Sequence, residues 1–308
     1  MPLFGVNTSS YLIQEEPPEL SIMGWDFGIR GTQSVDVRSK VARDFVATRC
    51  NSHIELNYNL KDKQLEIDGS AVQKNVLNTR LRGMHSILVD ATSLNCPELI
   101  NILRAAHQER ITKVSFLYLE PVEYRRRLPN TLTDRRDFDL SANRRYESLH
   151  GYSCNLELTP PGTVVFFLGY EGFRMAQALE QEEQLKNWKT HAVFGIPAFQ
   201  PGWEIDSLAN NVANLAPEHN VRYANAASVE AAYRLLTELK EEDKSGNPII
   251  VVPIGTKPHT IAASMFLVEH NAHDDALLIY DHPQRNQERS MDVRKWHLYD
   301  VHLNYAKV

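Results

Sequence analysis

Within six residues the chain sets a glycine, two threonines, a lysine and a histidine: Gly255-Thr256-Lys257-Pro258-His259-Thr260. A glycine lets backbone approach a ligand closely, the lysine adds a point charge, and Thr256 and Thr260 add hydroxyls. What precedes and follows decides where they sit. Ile249-Ile250-Val251-Val252 is a short β-branched apolar run, the pattern of a strand buried on both faces of a parallel sheet. After the turn, Ile261, Ser264, Met265 and Val268 recur at helical spacing, with Pro258 in the first turn, where its missing N–H costs nothing. A buried strand, a glycine turn and a helix start together aim backbone N–H groups at one spot, which favours an anion, most often a phosphate. The same residues also make a plain strand-to-helix turn whose glycine only permits close packing. The sequence leaves both open.

Two further sets stand at comparable places. Gly169-Tyr170-Glu171-Gly172-Phe173-Arg174 follows the apolar run Val164–Leu168. There Arg174 offers charge and Tyr170 a ring face on which a base can stack. Asp90, Thr92 and Ser93 follow Ile87-Leu88-Val89, at what becomes the carboxyl edge of a strand, where open α/β sheets place ligands. Helix capping by Ser93 or Asn95 explains the same residues.

Other chemistry finds less support. GxGxxG and GxxxxGK[ST] are absent, and Ser93 and Ser264 lack the GxSxG elbow. His259, His270, His273, His282, His297 and His302 gather late in the chain with Asp274, Asp275 and Asp281, but without HxH or HxxxH spacing. We therefore expect no metal and no cofactor. Arg125-Arg126-Arg127, Arg135-Arg136 and Arg144-Arg145 lie in an irregular stretch, 121–158, with Asp137 and Asp139 among them. They read as phosphate ligands or as a solvated linker.

These sets need a scaffold, and the periodicity supplies one. Strand-like and helix-like segments alternate through both halves, which predicts an α/β protein of two Rossmann-like halves, the second a doubly wound, mostly parallel sheet. Residues 1–20 read as a polar lead-in, the first strand as 20–27, and residues 54–67 as a hairpin with one wet face. Leu158-Thr159-Pro160-Pro161-Gly162 is the natural divide, giving domains 1–158 and 159–308. A net charge of −6 argues against a protein that mainly grips duplex nucleic acid. No apolar run is long enough to span a membrane, residues 1–25 lack a signal peptide, and three scattered cysteines fit a reducing compartment. The expectation is a cytoplasmic protein.

The turn Ile254-Gly255-Thr256-Lys257-Pro258-His259-Thr260 resembles that of CRISPR-associated Rossmann-fold (CARF) sensor domains, and Gly169–Arg174 matches loosely their first strand-to-helix turn. The resemblance covers about 159–308. It departs from the family where Val252-Pro253-Ile254 replaces the usual acid or asparagine and extra glycine, and no usual effector module accompanies it. It implies a sensor of nucleotides or cyclic oligonucleotides in prokaryotic antiviral defence, acting as a homodimer or with a partner defence protein. In the family the glycine-threonine-lysine turn holds phosphate and ribose, a role it would give Gly255, Thr256 and Lys257. Some standalone relatives cleave their ligand without a metal. That makes a ring-nuclease-like phosphodiesterase the alternative, beside a partner-binding subunit with no ligand.

Overall fold

In the computed structural model the described residues are 3–13, 15–73, 75–126, 138, 140–142, 145–243, 246–270 and 275–305. The chain forms two compact units, one of residues 1–125 with 285–308 and one of residues 126–284. The expected divide at 158/159 therefore falls inside the second unit. A linker-like Pro-Pro-Gly is a local signal, whereas the return of the chain's end to the first unit is a long-range pairing.

The first unit contains β1 (Phe4–Tyr11), α1 (Pro18–Ser21), β2 (Phe27–Gly31), α2 (Val37–Arg49), β3 (His53–Asn59), β4 (Gln64–Ile67) and β5 (Ser70–Val72). It continues through α3 (Val76–Leu81), β6 (Ser86–Asp90), α4 (Cys96–Gln108) and β7 (Lys113–Tyr124), and closes with the C-terminal strand Ser290–Leu303. Its described strands run β1, C-terminal strand, β7, β6, β2, β3, β4, β5 across one mixed sheet. The pairs β3–β2, β2–β6 and β6–β7 are parallel; the C-terminal strand is antiparallel to both its neighbours. One core gathers Leu20, Trp25, Phe45, Leu117, Trp296 and Leu298. The lead-in expected at 1–20 thus contains a strand, and the first strand expected at 20–27 begins where that segment ends.

The second unit is more regular: β8 (Thr163–Phe167), α5 (Phe173–Gln181), β9 (Lys189–Gly195), α6 (Trp203–Asn211), β10 (Asn220–Ala224), α7 (Val229–Glu242), β11 (Ile249–Pro253), α8 (Lys257–His270) and β12 (Ala276–Leu278). Every residue of β8, β11 and β12 is buried, as a parallel strand covered on both faces requires. The described strands lie in the order β10, β9, β8, β11, β12, all parallel. Counted along the chain that is 3-2-1-4-5, the Rossmann order. Right-handed crossovers then set α5 and α6 on one face and α7 and α8 on the other. The packing agrees, α5 touching α6 and α7 touching α8. Strand order reverses between β8 and β11, and their carboxyl ends carry Gly169 and Gly255. Among the described residues no helix is long and apolar enough to cross a membrane.

Candidate functional site

The two glycines stand where they do because the ends of β8 and β11 nearly touch. A Cβ on Gly255 would sit 2.8 Å from the Leu168 carbonyl oxygen and 3.0 Å from that of Phe167; one on Gly169 would sit 3.0 Å from the Ile254 carbonyl oxygen. Gly172 is tighter still, its Cβ position 1.7 Å from the Asn210 carbonyl oxygen, so that α5 leans on α6. Close packing accounts for all three glycines, whatever else they permit.

Packing does not account for the amides. The Thr260 N–H donates to the Thr256 carbonyl at 3.0 Å, the first backbone bond of α8. The N–H groups of Gly255, Thr256 and His259 have no acceptor among the described residues. They are the unpaired donors of a helix N-terminus, set at the switch point of a Rossmann sheet. Lys257 opens the helix there, half-buried.

The side chains are more committed than their types suggest. The Thr256 hydroxyl donates to the Ala226 carbonyl at 2.8 Å, and that of Thr260 to the Thr256 carbonyl at 3.1 Å. His259 is fully buried, with Nε2 3.1 Å from the Asn225 carbonyl oxygen and its ring 4.9 Å from that of Phe167. Burial pushes its pKa down to about 4, so near neutrality it brings no charge to an anion. Arg174 faces inward. Its Nε donates to Asp281 Oδ2 at 2.7 Å and its Nη1 to the Ile254 carbonyl at 2.6 Å, with Glu171 3.8 Å away. That guanidinium stitches the carboxyl ends of β11 and β12 together, which leaves the charge expected for a ligand already matched by Asp281. Tyr170 is only 9% exposed: Phe138 lies 4.9 Å from it, Trp203 meets it edge-on at 5.8 Å, and Arg126 sits over Phe138 while pairing with Asp206 at 3.0 Å. The ring expected to stack on a base is covered by the protein's own aromatics. Nearby, the Ser141 hydroxyl donates to Glu171 at 3.1 Å.

Asp90, Thr92 and Ser93 belong to the other unit and serve its own turn. Asp90 accepts from the N–H groups of Thr92 and Ser93 and from the Ser93 hydroxyl, at 2.9, 3.1 and 2.5 Å. Ser93 Oγ accepts the Gly31 N–H at 2.8 Å, and Thr92 Oγ1 the Leu119 N–H at 3.0 Å. Arg285 then binds the carbonyls of Thr92, Ser93 and Leu94 together with Asn95 Oδ1, at 2.6–2.9 Å. Asn95 and Glu98 form a capping box on α4. The turn's polar groups are paired internally, in keeping with capping.

Sequence reading gave Asp281, Phe138, Trp203 and Arg285 no part in these turns. Only Asp281 carried a signal, an acid directly after an apolar strand; its Oδ1 is buried without a hydrogen-bond partner among the described residues. Of the arginine-rich stretch, Arg127, Arg135, Arg136 and Arg144 lie outside the described residues with Asp137 and Asp139, as do His273 and Asp274. Among the described residues no group of three His, Cys, Asp or Glu side chains is placed to hold a metal. A cavity of about 300 Å³ opens elsewhere in the second unit, between residues 146–157 and Glu182. Its lining includes Glu147, Glu157 and Glu182 and no lysine or arginine, which suits it poorly to a phosphate. No family model, curated protein or solved structure matches the chain.

Proposed function

We propose that the second unit binds a phosphate-bearing ligand of nucleotide or cyclic-oligonucleotide type at the carboxyl ends of β8 and β11, and that the protein acts as a sensor of that ligand. The observation that carries this is the set of unpaired amides on Gly255, Thr256 and His259 at the reversal of strand order. Three N–H groups converging at a helix start bind an anion without any side-chain charge, so the inward turn of Arg174 does not weaken the site. The cyclic-oligonucleotide class and the role in antiviral defence rest on the CARF-like turn. A base would need a surface other than Tyr170, or would displace Phe138 from it.

Gly255→Val is a poor probe, because its first side-chain carbon already collides with the Leu168 carbonyl and would report on packing. Lys257→Glu sets a negative charge beside the amides and leaves the glycine in place. A thermal-shift panel of mononucleotides, cyclic dinucleotides and cyclic oligoadenylates should stabilise the wild type with at least one member. Calorimetry on Lys257→Glu should then show affinity for that ligand lowered about 10-fold or more. No shift with any member, or equal affinity in the two proteins, would refute the assignment.

A further inference from the structure

In the first unit, far in sequence from these turns, a serine, a histidine and a carboxylate stand in one hydrogen-bonded line. Ser10 lies on β1, His297 on the C-terminal strand and Glu120 on β7, three adjacent strands. Ser10 Oγ is 2.8 Å from His297 Nδ1, and His297 Nε2 is 2.9 Å from Glu120 Oε2. Ser10 is exposed, whereas His297 and Glu120 are each 1% exposed.

The chemistry of the three groups fixes their roles. A carboxylate only accepts, so the imidazole proton sits on Nε2 and Nδ1 is left as acceptor for the serine hydroxyl. Arg294 Nη1 donates to the second oxygen of Glu120 at 2.5 Å and so fixes where that side chain points. The imidazole stacks with Tyr118 and with Tyr299, ring centres 6.0 and 5.9 Å away, which restrains its plane. The backbone contributes as well. Ser10 and His297 are directly opposite, and the Asn304 N–H donates to the Leu3 carbonyl at 2.8 Å. Alternation along the antiparallel ladder then makes Ser10–His297 a non-hydrogen-bonded pair, in which side chains stand closest. It also turns the Ser10 N–H away from the C-terminal strand, and among the described strands β1 is the edge of the sheet. A donor on the nucleophile's own residue is thus open to an oxyanion. Leu12 and Ile13, 71% and 40% exposed, add apolar surface two and three residues on.

We infer that Ser10 is a nucleophile activated by His297, with Glu120 as positioning residue, and that the first unit accepts an acyl group from an ester with an apolar portion. Ser10 Oγ bonds to the ester carbonyl carbon while its proton passes to His297 Nδ1. The bond from that carbon to the alkoxide breaks, and the alkoxide leaves with the proton. Water, deprotonated by the same nitrogen, then releases the carboxylic acid and restores the serine. The arrangement needs no redox partner.

An alkyl fluorophosphonate reports this directly on the full chain. The Ser10 oxygen–phosphorus bond forms, fluoride leaves, and the serine proton is taken up by His297. Mass spectrometry should find one adduct, on Ser10, absent in Ser10→Ala and retained in Ser9→Ala. His297→Gln should slow labelling about 100-fold or more. Should that variant fail to fold, the pH profile of the wild type decides. Burial lowers the His297 pKa, the hydrogen bond and charge of Glu120 raise it, and Lys295 and Arg294 lower it, with Tyr118 and Tyr299 against the ring. Labelling should therefore rise with pH and level off at a midpoint below that of an ordinary histidine. Glu120→Gln should move that midpoint further down, which loss of a merely structural contact would not do. A Ser10 rate no higher than the background on other serines, or one that climbs with hydroxide without levelling, would overturn the inference.

Discussion

Arg174 and Asp281 show how a residue's chemistry is decided by what lies beside it. Arginine after a glycine turn suggests a ligand contact, yet here the guanidinium makes a paired contact with a carboxylate that is 0% exposed. Removing one member of a buried ion pair leaves the other unpaired, a larger penalty than losing the attraction. Arg174→Ala should accordingly destabilise the protein by about 3–5 kcal/mol in urea unfolding. Arg174→Met with Asp281→Leu should recover most of that, since neither charge is then stranded. A small loss in the single variant would mean that Asp281 reaches solvent or another cation once Arg174 is gone. The pair could not be read from the sequence, because its members lie 107 positions apart and leave no periodic trace. Lys257 and the unpaired amides were legible for the opposite reason: strand, glycine and helix start are contiguous.

At the scale of elements, the all-parallel unit was the easier to read. Its central strands β8 and β11 are short apolar runs each followed by a helix, so pattern and element coincide there, at Val164 and at Ile249. The strand Phe-Gly-Val-Asn-Thr-Ser-Ser-Tyr at β1 has no such run and exists because the far end of the chain pairs with it, Phe4 opposite Leu303. The turn after β6 holds a charge that makes its stability pH-dependent. Burial lifts Asp90 to about 6, against the pull of its hydrogen bonds from Ser93 and Thr92. The folded value lies above the unfolded one near 4, so this contribution to stability is complete below about pH 4 and is lost as pH rises through about 6. Relative to Asp90→Asn, the wild type should lose roughly 2–3 kcal/mol between about pH 4 and 7, read from paired denaturant titrations. A difference that stays constant over that interval would show Asp90 ionised throughout, its hydrogen bonds from Ser93 and Thr92 and the charge of Arg285 having outweighed burial.

At the scale of the whole molecule, the two units differ in how the chain enters them. The second is continuous, 126–284, while the first is closed only when residues 285–308 return to it. The returning strand lies inside the sheet, hydrogen-bonded to β1 on one side and β7 on the other, and it brings Trp296 and Leu298 into the core. Without it β1 has no partner among the described strands, β7 becomes an edge of them, and Phe45 and Leu117 lose the surface they pack on. A chain ended after Gln284 should thus fail in the first unit, while the second retains its own core of Phe166, Phe194, Ile250 and Leu277. Hydrogen exchange read by mass spectrometry separates the two. Amides of β2, β6 and β7 should exchange at nearly unfolded rates, and those of β8, β9 and β11 should stay as slow as in the full chain. The same truncation removes His297, so it should also abolish labelling of Ser10 by the fluorophosphonate. Protection of β6 equal to that in the full chain would show that the parallel strands β3, β2, β6 and β7 form a folding unit of their own, with the antiparallel strands added to it.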